Sequence, residues 1–201
     1  MYEWRKMTTA QRQEVLESRK QKKHPWHSPP HRVGETDYYH ISAACYEHKP
    51  IIGLSPKRMF EFSEAILALM NDLLVTIFAW CLLPNHYHLL IKTEDIFYLL
   101  NRLGNLHGRL SYFWNGEDDC RGRKVWFNAV ERYIRSERHF WACMNYVHHN
   151  SIHHNYVKKW TYWPFSSAIE FLAKVGRDKA AEIWREYPIL DFGKGWDDPE
   201  L

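Results

Sequence analysis

One stretch constrains what this chain can fold into: Leu82-Leu83-Pro84-Asn85-His86-Tyr87-His88-Leu89-Leu90-Ile91-Lys92. Pro84-Asn85 make a turn, and the apolar run that follows carries two histidines one residue apart. A β-strand sends successive side chains to opposite faces, so His86 and His88 emerge together while Tyr87 points the other way. Two imidazoles a strand repeat apart can hold one divalent metal ion. The same pattern serves equally as two half-exposed strand histidines without a ligand, and the surrounding chain has to choose between these readings.

The surroundings alternate between strand and helix. Tyr38–Cys45 is rich in β-formers and reads as a first strand. From Lys57 to about Leu74, Met59, Phe60, Ile66, Leu67, Met70, Leu73 and Leu74 recur at helical spacing after a Ser55-Pro56 entry. Val75–Leu82 forms a second strand, hairpin-paired with the His86–Lys92 strand. Phe97–Trp114 forms a second helix with Leu99, Leu100, Leu103, Leu106 and Leu110 along its apolar side. After the polar loop 115–124, Val125–Val130 is expected as a fourth strand. This βαββαβ order predicts an α+β fold, a ferredoxin-like antiparallel sheet with helices on one face and its first and third strands central. The His-x-His strand then sits mid-sheet, a rigid mount for a site.

Composition narrows the function classes. The 201 residues include ten Trp and twelve Tyr, an aromatic share of 16%; such rings fill cores and also stack on unpaired bases. A net charge of only +3 excludes a histone-like polycation, so any nucleic-acid binding rests on a local basic surface. Residues 1–35 read as a basic extension, with eight Lys/Arg against four Glu and a helix from Thr8 or Thr9 to about Lys23. It is either a solvated arm or one that tracks a phosphate backbone, with Trp26 available for stacking and Arg32 for a phosphate. Cys45, Cys81, Cys120 and Cys143 form no CxxC, which argues against a zinc ribbon or a disulfide framework and for a reducing cytoplasm. Neither a signal peptide nor a membrane-length apolar run is visible.

A third helix starts at Ser136-Glu137-Arg138, where His139 stands in place of the Glu or Gln of a full capping box. Within it Tyr146 and Asn150 are four residues apart and share a face. The Asn150 amide oxygen is a hard ligand that would complete a three-ligand site with His86 and His88. Tyr146 sets a phenolic oxygen one turn away. Alone, Tyr146 reads as an ordinary helix-packing aromatic.

At this point a resemblance becomes specific. Leu83-Pro84-Asn85-His86-Tyr87-His88-Leu89-Leu90 resembles the HUH motif of single-tyrosine transposases. Asn145-Tyr146-Val147-His148-His149-Asn150-Ser151 is similar to the Tyr-Ile-His-x-Asn-Pro segment of the REP-associated tyrosine transposases, with Ser151 where that family usually has Pro. Trp163-Pro164-Phe165-Ser166-Ser167 resembles their downstream Trp-Pro-x-Ser-Ser block. The resemblance covers about Tyr38 to Ala168, with the three motifs in the expected order. The resemblance implies an RRM-like sheet, a nucleophile-bearing helix C-terminal to it, and Mg²⁺ or Mn²⁺ held by His86, His88 and Asn150. It implies Tyr146 as the nucleophile on a DNA phosphodiester, leaving a 5′-phosphotyrosine and a free 3′-OH. The expected partner is single-stranded or hairpin DNA of the REP palindrome type, with monomer or homodimer left open, in the cytoplasm at the nucleoid.

No phosphate-binding Gly-rich loop is seen, in keeping with transesterification that needs no ATP. His107, Arg109, Arg132, Arg135 and Arg138 are expected as phosphate contacts or solvated surface. His148, His149, His153 and His154 are expected to be solvated or DNA-facing rather than a second metal site. The organisation expected is an extension over 1–35, a catalytic domain over 36–170, and a C-terminal helix with an aromatic tail over 171–201. Two rivals stand beside strand transfer: an idle hairpin-binding protein, and a metal nuclease using water.

Overall fold

The computed structural model describes residues 7–21 and 37–190. The chain divides into two compact units, Met1–Val33 and Gly34–Leu201. In the first, helix α1 (Thr9–Gln21) is entered through Thr8: its Oγ1 accepts from Gln11 N–H at 3.3 Å, while Gln11 Oε1 accepts from Thr8 N–H at 2.8 Å. Two orphan donors are thus satisfied reciprocally, a capping box written Thr-x-x-Gln. Trp26 and Arg32 lie outside the described residues.

The second unit runs β1 (Tyr38–Ala44), α2 (Pro56–Asp72), β2 (Thr76–Leu82), β3 (His86–Lys92), α3 (Ile96–Glu117), β4 (Val130–Tyr133), α4 (Glu137–His153), α5 (Ala168–Val175) and α6 (Arg177–Glu186). Each of the long helices begins at a side-chain cap. Ser55 accepts from Arg58 N–H with Pro56 at the first helical position, Asp95 accepts from Tyr98 N–H, and Ser136 accepts from His139 N–H. His139 also does part of the missing glutamate's work, because its Nδ1 accepts from Arg135 N–H at 3.2 Å. The helix then passes Ser151 without a break. The boundary expected between residues 170 and 171 falls inside α5.

The sheet is four-stranded and antiparallel in the order β2-β3-β1-β4, so β1 and β3 are its inner strands. Its fourth strand is Val130–Tyr133, not the Val125–Val130 run expected from β-propensity. Trp126 makes only an isolated bridge to Cys45 and turns into the core against Phe62 and His107. Packing therefore claims the apolar run, and the half-buried edge falls to Val130-Glu131-Arg132-Tyr133.

Alternation along the inner strands builds two different faces. Tyr87, Leu89 and Ile91 stand opposite Ala43, Ile41 and Tyr39 and pack with Phe62, Ile66 and Met70 of α2 and with Leu99, Leu103, Leu106 and Trp114 of α3. His86, His88 and Leu90 stand opposite Ala44, Ser42 and His40 on the other face. There, Ala79, Cys81 and Leu90 pack under Cys143, Tyr146 and Val147 of α4, with Phe171 of α5 and Ile183 of α6 behind.

The Trp163–Ser167 block closes the free edge of β2. Leu82 N–H donates to Phe165 O at 2.8 Å, Trp163 Nε1–H to Leu82 O at 2.8 Å, and Ser167 N–H to Trp80 O at 3.0 Å. Trp80 N–H donates to Ser167 Oγ at 2.9 Å. An edge strand whose amides are spent in this way offers no template for stray pairing.

Candidate metal and nucleophile site

Strand and helix repeats meet at this site. Two residues along β3 advance about 6.7 Å, and four along α4 rise about 6 Å, so a helix laid on the strand can match i, i+4 to i, i+2. Tyr146 accordingly lies against His88, ring centres 5.1 Å apart, and Asn150 lies against His86, with Asn150 Oδ1 3.0 Å from His86 Nε2. The four residues expected to form the site are brought together, all of them buried, and Tyr146 is 4% exposed.

The tautomers follow from the network. Asn85 Nδ2 donates to His48 O at 3.0 Å, which fixes Asn85 Oδ1 as an acceptor, and His86 Nδ1–H donates to it at 2.7 Å. In its neutral form His86 then presents Nε2 as an acceptor, 3.0 Å from the side-chain amide of Asn150. Asn150 Nδ2 is buried without a partner among the described residues. The 3.0 Å approach is satisfied by a cation held at both atoms, by a protonated ring, or by the Asn150 amide turned so that its N–H donates to Nε2. Among the described residues no group of three or more His, Cys, Asp or Glu is placed to hold a metal ion. A divalent ion such as Mg²⁺ or Mn²⁺ at this site would be held by His86, His88 and the amide oxygen of Asn150, two imidazoles and one hard oxygen donor.

Three further residues belong to this cluster that the sequence alone did not assign to it, His154 having been expected to be solvated or DNA-facing. His40, on β1, stacks on His88 with ring centres 5.2 Å apart and places Nε2 3.1 Å from His88 Nδ1. Asn85 orients His86 as described. His154, just past the end of α4, meets the His86 ring edge-on at 4.8 Å. The i, i+4, i+8 stripe Tyr146, Asn150, His154 was available as a signal; the placement of His40 required the β1–β3 register.

The other expected contacts separate. Arg132 stands opposite His40 on the histidine face and donates to Ser42 Oγ at 3.5 Å. Arg135 and Arg138 are exposed at the start of α4, Arg135 lying over the Tyr133 ring. Arg109 is exposed on α3, across the sheet from the histidines. His107 is no surface contact: it is buried, stacked on Trp126 at 4.2 Å, 3.1 Å from the Tyr87 hydroxyl, and burial pulls its pKa down to about 4. His148 is likewise buried rather than solvated, bonded to Ser167 Oγ at 3.0 Å, and burial lowers its pKa to about 3. His149 packs between Trp160 and Trp184 and donates to Asn145 O, leaving His153 as the exposed member of that group.

Comparison with known proteins adds one line of evidence. No protein-family model and no curated protein matches the chain. Among solved structures it is similar to a REP-associated tyrosine transposase bound to a REP hairpin, with a TM-score of 0.57 and 18% identity over 73% of this chain and 86% of that one. At that identity the likeness is one of fold. Among the described residues no helix is long and apolar enough to cross a membrane.

Proposed function

We propose that this chain is a single-tyrosine strand transferase that cleaves and rejoins single-stranded, hairpin-forming DNA of the REP palindrome type. Its sheet is read as ferredoxin-like, of the RRM kind, with α4 as the nucleophile helix. The observation that carries this reading is the pairing across β3 and α4: a metal-type donor corner at His86 and Asn150 beside a tyrosine held on His88. The hairpin-bound transposase of like fold supports the choice of partner.

A divalent ion held by His86, His88 and Asn150 would supply Lewis-acid polarisation of a phosphate oxygen. The protein's own residues supply the rest. Tyr146 Oη attacks phosphorus, an O–P bond to tyrosine forms as the P–O3′ bond breaks, the phenolic proton leaves to solvent, and the 3′ oxygen takes one up. The phosphodiester energy stays in the protein–DNA bond, so rejoining is the same step run backwards. Two imidazoles and an amide are neutral, which leaves an ion's whole charge for the phosphate.

The burial of Tyr146 favours one alternative, a hairpin-binding protein whose site stays closed. The two separate on a denaturing gel of protein with labelled single-stranded palindromic oligonucleotides, in Mn²⁺, Mg²⁺ or chelator. A metal-dependent protein band carrying a DNA fragment, absent in Tyr146→Phe, establishes tyrosine transesterification. Binding without cleavage in either metal establishes the closed binder, and cleavage that survives Tyr146→Phe assigns the attack to water.

A further inference from the structure

Both site histidines are approached at Nδ1 by a buried partner. For His86 that partner is Asn85, in the same motif. For His88 it is His40, a residue 48 positions away on the neighbouring inner strand. His40 has no exposed surface, lies nearly parallel to His88 at an interplanar angle of 18°, and meets Tyr146 edge-on at 6.0 Å. A metal-ligating imidazole generally gives its second ring hydrogen to a carboxylate, carbonyl or water, which fixes tautomer and ring orientation. In this chain a second imidazole stands where that acceptor belongs.

We propose that His40 is the positioning residue for His88. Its Nε2 accepts the Nδ1 hydrogen of His88, so the Nε2 lone pair of His88 is turned into the site beside Tyr146. The reverse arrangement, with His40 donating, would put the hydrogen on His88 Nε2 and close that position to a metal. The stacked geometry resists rotation of the His88 ring, and Ser42, opposite His88 on β1, is too short to replace His40 in that role. The matched partners leave both histidines presenting the Nε2 lone pair to the site. This inference rests on the proposed metal site, but it makes a separate claim about the apoprotein.

Two variants test it in the full chain: His40→Phe keeps the ring and removes the acceptor, and His40→Gln restores an acceptor oxygen. The first readout is the ¹⁵N spectrum of the His88 ring in metal-free protein. Wild type and His40→Gln should show the Nδ1–H tautomer, and His40→Phe should lose it. The second is calorimetric titration with Mn²⁺, where His40→Phe should bind about 10- to 100-fold more weakly than wild type and His40→Gln should recover most of that loss. Thermal melts of the metal-free variants serve as the fold control. An Nε2–H tautomer in wild type overturns the inference. So does Mn²⁺ affinity unchanged in a folded His40→Phe. Wild type that binds no Mn²⁺ but holds the Nδ1–H tautomer overturns the metal reading and leaves the role of His40 standing.

Discussion

On the sheet face that carries α2 and α3, His107 is closed in by Phe62 and Trp126 and bonded to the Tyr87 hydroxyl, whereas beneath α4 three histidines meet an asparagine and a tyrosine. Burial is equally deep on both faces. The difference lies in whether the polar groups satisfy each other. Tyr87 and His107 form a complementary pair, one donor to one acceptor, and an apolar wall around such a pair is ordinary core. On the other face His86 Nε2 stands 3.0 Å from the Asn150 amide, whose nitrogen has no partner among the described residues. Buried histidine alone therefore marks nothing; the buried Asn150 amide left partly unsatisfied beside it marks the site.

The same substitution on the two faces should separate chemistry from stability. Tyr146→Phe removes the attacking oxygen, and the covalent adduct should fall by at least about a thousand-fold on a denaturing gel, with the melting temperature little changed. Tyr87→Phe removes the partner of His107 and leaves a buried ring nitrogen unsatisfied. It should cost about 1–3 kcal/mol in urea unfolding and leave adduct formation per folded molecule within about two-fold. If Tyr146→Phe lost the stability and Tyr87→Phe the chemistry, the assignment of the faces would be reversed.

Acid probes the satisfied face next. His107 is held neutral at a folded pKa of about 4 against an ordinary 6.5, with burial as the cause. A depressed histidine pKa means the unfolded chain takes up a proton that the folded chain refuses. Its contribution to stability is therefore full above pH 6.5 and is lost as pH falls from 6.5 towards 4, by roughly 3 kcal/mol in all. His107→Gln can keep a bond to Tyr87 without titrating. The stability gap between wild type and this variant should narrow as urea unfolding is moved from pH 7 to pH 4.5. A gap constant with pH would show that His107 accepts its proton in the folded state.

Much of this contrast is legible along the chain, because period-2 and period-3.6 spacing fix which residues share a face. His86 with His88, and Tyr146 with Asn150, are such pairs, and the strand and helix repeats that align them are nearly equal. His107 was readable too: it lies four residues after Leu103 and three before Leu110, on the apolar stripe of α3, a position that predicts core. His40 was not readable, since its place beside His88 depends on a β1–β3 register set between residues 48 apart. Trp126 misleads for another reason. Val125-Trp126-Phe127 does meet the end of β1, Tyr46 N–H donating to Val125 O and Phe127 N–H to Ala44 O, but the pairing stops at that single bridge while the Trp126 ring packs on His107, Phe62 and Trp114.

The smallest expected effect concerns arginines on opposite faces. Arg132 stands on the histidine face at the edge strand β4, one strand from His88 across Ser42, while Arg109 projects from α3 on the far side. A backbone laid across the site to reach Tyr146 passes the first and not the second. Each phosphate neutralised releases counterions, so the salt dependence of binding counts such contacts. Arg132→Gln should weaken oligonucleotide binding about equally across sequences and flatten the slope of log K against log salt by about 1, while Arg109→Gln leaves it unchanged. Fluorescence anisotropy at four or more salt concentrations resolves a difference of that size. Equal slopes for both variants would mean that the strand does not cross the histidine face at β4. A loss confined to Arg109→Gln would place the bound DNA on α3, away from Tyr146, and with it the closed binder would become the better account of the protein.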